Sequence, residues 1–191
     1  MDIIGVTNRK LCNDFYKRIK EISKNNLKYL ILREKDLEYK ELLIMAKNVQ
    51  SILKDSNIKL IINSNVEVAE EVNAYGIQLS FKDFCENKGK NFNGIKGVSV
   101  HSLSEAIEAE KRGANYIIYG HVFNTDCKKG LKPRGLIEFK EICNKVNIPV
   151  YAIGGINKEN YKSVLEIGAD GVAVMSSLMK NSILSSKIKT Y

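Results

Sequence analysis

Two histidines, a basic pair at Arg33 and Lys35, and several small clusters of hydroxyl or glycine residues are the parts of this sequence that can do chemistry. His121 follows Gly120 in YIIYGHVFNTDCKKG (Tyr116 to Gly130), where an apolar run stops and a polar, doubly basic loop begins. An imidazole there can exchange protons near neutral pH, which is what a general acid–base group requires. Thr125, Lys128 and Lys129 in the same stretch suit an anionic ligand. His101 opens HSLSE, in which Ser102 and Glu105 have capping-box spacing, so it reads as the residue before a helix cap. Cys127 sits beside lysines that would lower a thiol pKa, but no oxyanion partner or acyl-transfer pattern accompanies it. AIGGIN brings Gly154 and Gly155 to a strand end, with Asn157 placed to cap the next helix. VMSS brings Ser176 and Ser177 to a similar junction. Bare backbone and free N–H groups at a helix start are a phosphate-binding arrangement.

These residues need elements to hold them. Short apolar runs alternate along the chain with longer segments of helical period. DIIGV, YLILR, KLIIN, GIQLS, GVSV, YIIYG, VYAIG and GVAVM are eight strand candidates. Phe15, Ile19 and Ile22 recur at helical spacing, as do Leu42, Leu43, Ala46 and Val49 within Tyr39 to Leu53. Continuous apolar runs, rather than alternating ones, mark strands buried on both faces. Strict β-α alternation gives a parallel sheet, and eight units in one chain close into a (β/α)8 barrel, here a compact one. KRGANYIIYG and EIGADGVAVM echo each other, as repeated units would. An open doubly wound sheet is the rival architecture, but no GxGxxG follows the first strand.

In a barrel the loops after strand C-termini form the active face. The strand ends supply Thr7 and Asn8; Arg33, Glu34 and Lys35; Asn63 and Ser64; Gln78 and Ser80; Ser99 and His101. The later ends supply His121, Thr125 and Lys128, then Gly154 and Gly155, then Ser176 and Ser177. A phosphate held between the seventh and eighth loops is a recurring barrel arrangement.

Bulk properties narrow the classes. The chain has 191 residues, 44% of them apolar, enough for one domain with a core. The formal net charge of +8 comes from lysines spread through the amphipathic segments, which reads as a solvated surface rather than a nucleic-acid face and also fits a preference for phosphorylated small molecules. No apolar run approaches the roughly 18 residues of a membrane span, and the start MDIIGVTNRK is not a signal peptide. A cytoplasmic protein is expected. Cys12, Cys85, Cys127 and Cys143 have no metal-ligand spacing and read as reduced thiols, with no structural zinc. The sequence leaves room for a homo-oligomer without specifying one.

Taken in order, GIQLS…D, GVSVHS, YGHVFNTDCKKG, YAIGGIN and GADGVAVMSS resemble the thiamine phosphate synthase/TenI family, over about Leu32 to Ser177. The resemblance implies a small (β/α)8 barrel and one of two activities. Synthases join a pyrimidine pyrophosphate to a thiazole phosphate with Mg²⁺. The TenI branch, thiazole tautomerases, aromatises a carboxylated thiazole phosphate. Synthases typically carry proline and threonine at the positions of His121 and Cys127. Their Asn-Asp pair reads Asn63-Ser64 here, and their HLGQxD reads QLSFKD, which keeps only Asp83 as a possible metal ligand.

The expectation drawn from these departures is a thiazole tautomerase, an isomerase acting without a cofactor or metal. His121 would transfer protons, and Gly154, Gly155, Ser176 and Ser177 would hold the phosphate of a small thiazole substrate. Arg33 and Lys35 match pyrophosphate-binding positions and would take its carboxylate. Asn63 and Ser99 would line the pocket, while Thr125 and Lys128 closed the loop. The alternatives are a Mg²⁺-dependent synthase that tolerates Ser64, and a non-catalytic binding or regulatory protein.

Overall fold

The computed structural model describes residues 1–125 and 130–180, and Lys128 and Cys127 lie outside that set. The strands are β1 (Asp2–Val6), β2 (Tyr29–Leu32), β3 (Lys59–Asn63), β4 (Gly76–Ser80), β5 (Ile95–Val100), β6 (Tyr116–Gly120), β7 (Val150–Ile153) and β8 (Gly171–Val174). The helices are α1 (Phe15–Ile22), α2 (Tyr39–Leu53), α3 (Val66–Glu71), α4 (Phe81–Cys85), α5 (Leu103–Lys111), α6 (Ile137–Lys145), α7 (Tyr161–Glu166) and α8 (Ser176–Met179). Each strand pairs in parallel with its neighbours, and β8 closes on β1. The expected (β/α)8 barrel is the observed architecture, and all eight strand candidates are strands.

Two apolar layers hold the barrel together, as strands buried on both faces require. Ile4, Val6, Ile31, Ile61, Ile118 and Ala173 point inward and pack with Tyr29, Tyr116 and Tyr151. The alternate residues, such as Leu30, Leu32, Ile62 and Ile117, face the helices. The helix period does the rest: α1 buries Ile19 and Ile22, and α2 buries Leu42, Ala46, Val49 and Leu53. Ser102 caps α5 by accepting from the Glu105 amide at 3.2 Å. Glu105 returns its carboxylate to the His101 amide at 2.6 Å, one residue earlier than a standard box. Asn157 does not cap α7 directly. It closes a turn by accepting from the Glu159 and Asn160 amides, and Asn160 stands at the helix start.

Among the described residues, Cys12, Cys85 and Cys143 are free thiols, and burial pushes Cys143 up to about 11. No described helix is long and apolar enough to cross a membrane.

Candidate active site

A cavity of about 620 Å³ opens at the C-terminal end of the barrel. Its floor is apolar, made by Val6, Ile31, Ile118, Ile153 and Ala173, and its rim is polar. Arg33, Lys35, Asn63, Ser99, His121, Thr125, Gly154, Gly155, Ser176 and Ser177 all line it. Of the residues expected to bind or act, only Lys128 goes unplaced, because it lies outside the described set. Asn8, Gln78, Ser80 and His101 join the lining too. They stand at the expected strand ends, but their residue types alone assigned them no role.

The basic pair is presented by the two-residue period of an extended chain. That alternation runs on past β2, so Ile31, Arg33 and Lys35 turn toward the cavity while Leu32 and Glu34 turn away. Glu34 is 6% exposed and fully used. It accepts from Thr7 Oγ1 at 2.7 Å and from the Arg9 amide at 3.0 Å, and pairs with Arg9 Nη1 at 3.2 Å. Thr7 Oγ1 in turn accepts from the Arg33 amide at 2.9 Å. A buried, hydrogen-bonded carboxylate therefore pins the loops after β1 and β2 together and aims the cations on either side of it. Asp36 continues the network outward. Hydrogen bonds from Arg9, then Lys10, hold its carboxyl well below the usual carboxylate range. The Arg33 guanidinium has no carboxylate partner among the described residues.

Gly154 and Gly155 have φ of +100° and +68°, a region costly for any residue with a side chain. They also lie directly against the loop after β6. A Cβ on Gly154 would overlap His121, and one on Gly155 would overlap the Asn124 carbonyl and come within 2.8 Å of Phe123 Cβ. The β6–β7 ladder continues through this contact, with the Val122 amide donating to Ile153 O at 2.9 Å and the Phe123 amide to Gly154 O at 3.0 Å. The two glycines thus let one wall of the cavity close on the next.

His121 is tied into its own loop. Its Nε2 lies 3.3 Å from the Leu131 carbonyl, and its backbone carbonyl accepts from the Arg134 amide at 3.0 Å. His101 Nδ1 lies 2.7 Å from the Gly120 carbonyl. Both imidazoles therefore brace the end of β6 and the loop that follows.

The donor set also bears on a divalent metal. No carboxylate lines the cavity among the described residues, and Asp126 lies outside them. Ser64 offers only a hydroxyl, which accepts from Asn63 Nδ2 at 2.9 Å. Asp83 is not in the cavity wall; its Oδ2 accepts from Ser80 Oγ at 2.6 Å at the start of α4. Mg²⁺ is usually held through one or two protein carboxylates together with substrate phosphates. The described residues do not fit a protein-anchored Mg²⁺ site. Two cationic side chains, Arg33 and Lys35, line the cavity instead.

The family model described as thiamine monophosphate synthase matches residues 3–178. A thiamine-phosphate synthase of Clostridium novyi is 37% identical over 191 residues, covering 97% of this chain and 94% of that protein. One from Pyrococcus abyssi is 37% identical over 176 residues, covering 91% and 84%. A solved structure described as a thiamine phosphate pyrophosphorylase from Pyrococcus furiosus superposes with a TM-score of 0.86 at 34% identity, covering 97% of this chain and 90% of that one.

These likenesses overturn the expectation of a thiazole tautomerase, and with it the isomerase class. That expectation rested on His121, Ser64, Cys127 and the QLSFKD stretch, a few positions in a chain that resembles synthases over 97% of its length. The geometry supplies the physical reason at two of them. His121 is engaged by its loop, and a serine at position 64 removes a metal ligand while Arg33 and Lys35 still line the cavity.

Proposed function

The chain belongs to the thiamine monophosphate synthase family, and from that premise we propose that it is a thiamine phosphate synthase, a transferase. It joins a pyrimidine pyrophosphate to a thiazole phosphate: the bond between the pyrimidine-bearing carbon and the diphosphate oxygen breaks, the thiazole takes its place, and pyrophosphate leaves. The observation that carries this reading is the presence of two separate anion-matching groups at one barrel mouth. Arg33 and Lys35 extend from β2, and the Gly154–Gly155 and Ser176–Ser177 turns end β7 and β8. A reaction between two phosphorylated substrates requires two such places.

Each group has a distinct task. The departing diphosphate gathers negative charge, and fixed cations aimed at it stabilise that charge without reorganising. Arg33 and Lys35 do this, held in direction by the buried Glu34–Thr7–Arg9 network. Backbone N–H groups and hydroxyls at the seventh and eighth loops take the thiazole phosphate. The apolar floor accepts the rings and excludes water, so the displaced group meets the thiazole rather than solvent.

Incubating the purified chain with hydroxymethylpyrimidine pyrophosphate and thiazole phosphate, with and without Mg²⁺, tests the proposal. Thiamine phosphate and pyrophosphate are expected in equal amounts. Failure to form either product under both conditions would refute the assignment.

A further inference from the structure

His101 lines the cavity alongside His121, and its contacts fix which of its ring nitrogens can meet a ligand. Residues of β5 alternate between the barrel interior and the helices. Ser99 lines the cavity, Val100 packs in the layer under the helices, and His101 just past the strand lines the cavity again. It stands exposed at the rim.

Three ties hold the loop that carries it. Glu105 of α5 accepts from the His101 amide at 2.6 Å. Glu138 of α6 accepts from the Leu103 amide at 3.0 Å and from the Tyr119 hydroxyl at 2.7 Å, which joins the start of α5 to β6. The third tie is the imidazole itself, whose Nδ1 lies 2.7 Å from the Gly120 carbonyl at the end of β6.

That last contact sets the tautomer. A carbonyl oxygen only accepts, so Nδ1 carries the hydrogen and donates. The neutral ring then has its lone pair on Nε2, which has no partner among the described residues. A proton gained by the ring must go to Nε2. The bond to Gly120 survives that gain, because Nδ1–H donates in both states, and the ring need not turn. His121 is the reverse case: its Nε2 faces the Leu131 carbonyl at 3.3 Å, so its N–H is spent within its own loop.

The surroundings decide what Nε2 can meet. The apolar floor suits rings, while the rim carries Arg33, Lys35 and the Ser176–Ser177 turn and suits negative charge. The carboxylates around the His101 loop are occupied: Glu105 and Glu138 hold amides, and Asp83 of the neighbouring α4 accepts from Ser80. With Arg33 and Lys35 in the same cavity and His121 beside it, an imidazolium is disfavoured until an anion arrives. A phosphoryl group supplies that anion.

We propose that His101 binds a phosphoryl oxygen of the ligand through Nε2–H, taking up a proton from solvent at that atom as the ligand enters. This deepens the synthase reading by adding a conditional positive charge to the anion site, and rests on it only for a ligand that carries a phosphoryl group.

Nitrogen-15 NMR tests the tautomer and the proton uptake directly, since the chain has only 2 histidines. His101→Asn assigns one ring and His121→Gln the other. At about pH 8, above the ordinary histidine range, His101 of the wild-type protein is expected to show a protonated Nδ1 and a bare Nε2. Adding inorganic pyrophosphate should carry Nε2 to the protonated position and leave Nδ1 where it was. A hydrogen on Nε2 before pyrophosphate is added, or an Nε2 signal that pyrophosphate does not move, would overturn the proposal. Calorimetry with pyrophosphate gives a second readout. His101→Asn keeps an N–H at the place of Nδ1 and offers nothing at that of Nε2, so its melting temperature should stay near that of wild type. Its affinity should be about three- to tenfold lower at about pH 6 and should approach wild type at about pH 9, where the wild-type ring no longer gains its proton. The ionisation of pyrophosphate affects both proteins alike. Equal affinities across that range would also overturn the contact. Neither readout involves turnover, so His101 and the synthase assignment fail separately.

Discussion

At the N-terminal end of the barrel, Lys28, Asp2 and Tyr151 satisfy one another; at the C-terminal end, Arg33 lines the cavity with no carboxylate partner among the described residues. On the closed end, Lys28 Nζ sits 2.5 Å from Asp2 Oδ2 and 3.2 Å from the Tyr151 hydroxyl, which itself donates to Asp2 at 2.9 Å. Tyr29 stacks on Tyr75 and Tyr116 at centroid distances of 5.8 and 5.6 Å, and Tyr151 meets Tyr116 edge-on. The open end presents Arg33 without a carboxylate partner among the described residues, hydroxyls at strand ends and glycines at positive φ. Both ends are built from the same strands. Pairing within the chain stabilises the closed end, and under the proposed function a ligand completes the open one.

Substitutions at the two ends should separate accordingly. Arg33→Ala should have the largest effect, lowering kcat/KM for thiamine phosphate formation by about 10²-fold, with the unfolding midpoint almost unchanged. Steady-state kinetics beside urea denaturation measures both. Loss of stability without loss of rate would erase the contrast between the ends.

Gly154→Ala combines an unfavourable φ with overlap against His121. Stability is expected to fall by about 1–3 kcal/mol, with phosphate-ligand affinity falling as the loop after β6 is displaced. Equilibrium unfolding and calorimetry report the two losses. His121→Ala removes one hydrogen bond from the same loop and should cost less than about tenfold in kcat/KM. A drop of about 10²–10⁴ would instead mark a proton-transfer group and would make this rim chemically active rather than supportive.

The smallest effect belongs to the closed end. Asp2→Asn should reduce stability by at most about 1 kcal/mol, since both partners are more than a third exposed and solvent screens them, and turnover should not change. Burial pulls the Lys28 ammonium down, but hydrogen bonds to Asp2 and Tyr151 outweigh it and leave the folded value above the ordinary one. The wild-type advantage is therefore complete below the unfolded lysine value of about 10.4 and is lost as pH rises through the higher folded value. Urea midpoints of both proteins across alkaline pH would reveal the opposite trend if Lys28 were not held this way.

Much of this was legible in the linear chain. Eight apolar runs, each long enough for a strand, and helical spacing between them are enough to specify a closed parallel barrel, because a strand buried on both faces has few other places to go. The active face followed at once, since polar residues at strand ends must gather at one mouth. Arg33, Lys35, Gly154 and Ser176 all stand there. The chemistry was less legible. A histidine after Gly120 invites an acid–base role whatever its ring touches, and the Leu131 carbonyl that engages it is ten residues away. Whole-chain likeness, not those few side chains, pointed to the synthase branch.

Residue order alone determined the barrel, its two apolar layers and the polar mouth, because burial and periodicity are local properties of a segment. Only the folded chain decided that Glu34 would lie beneath the loops aiming its neighbouring cations, and that Gln78 and Tyr116 would meet over Gly97. Those contacts join residues from different strands and loops. Their existence depends on register and barrel closure, which no single stretch of sequence contains.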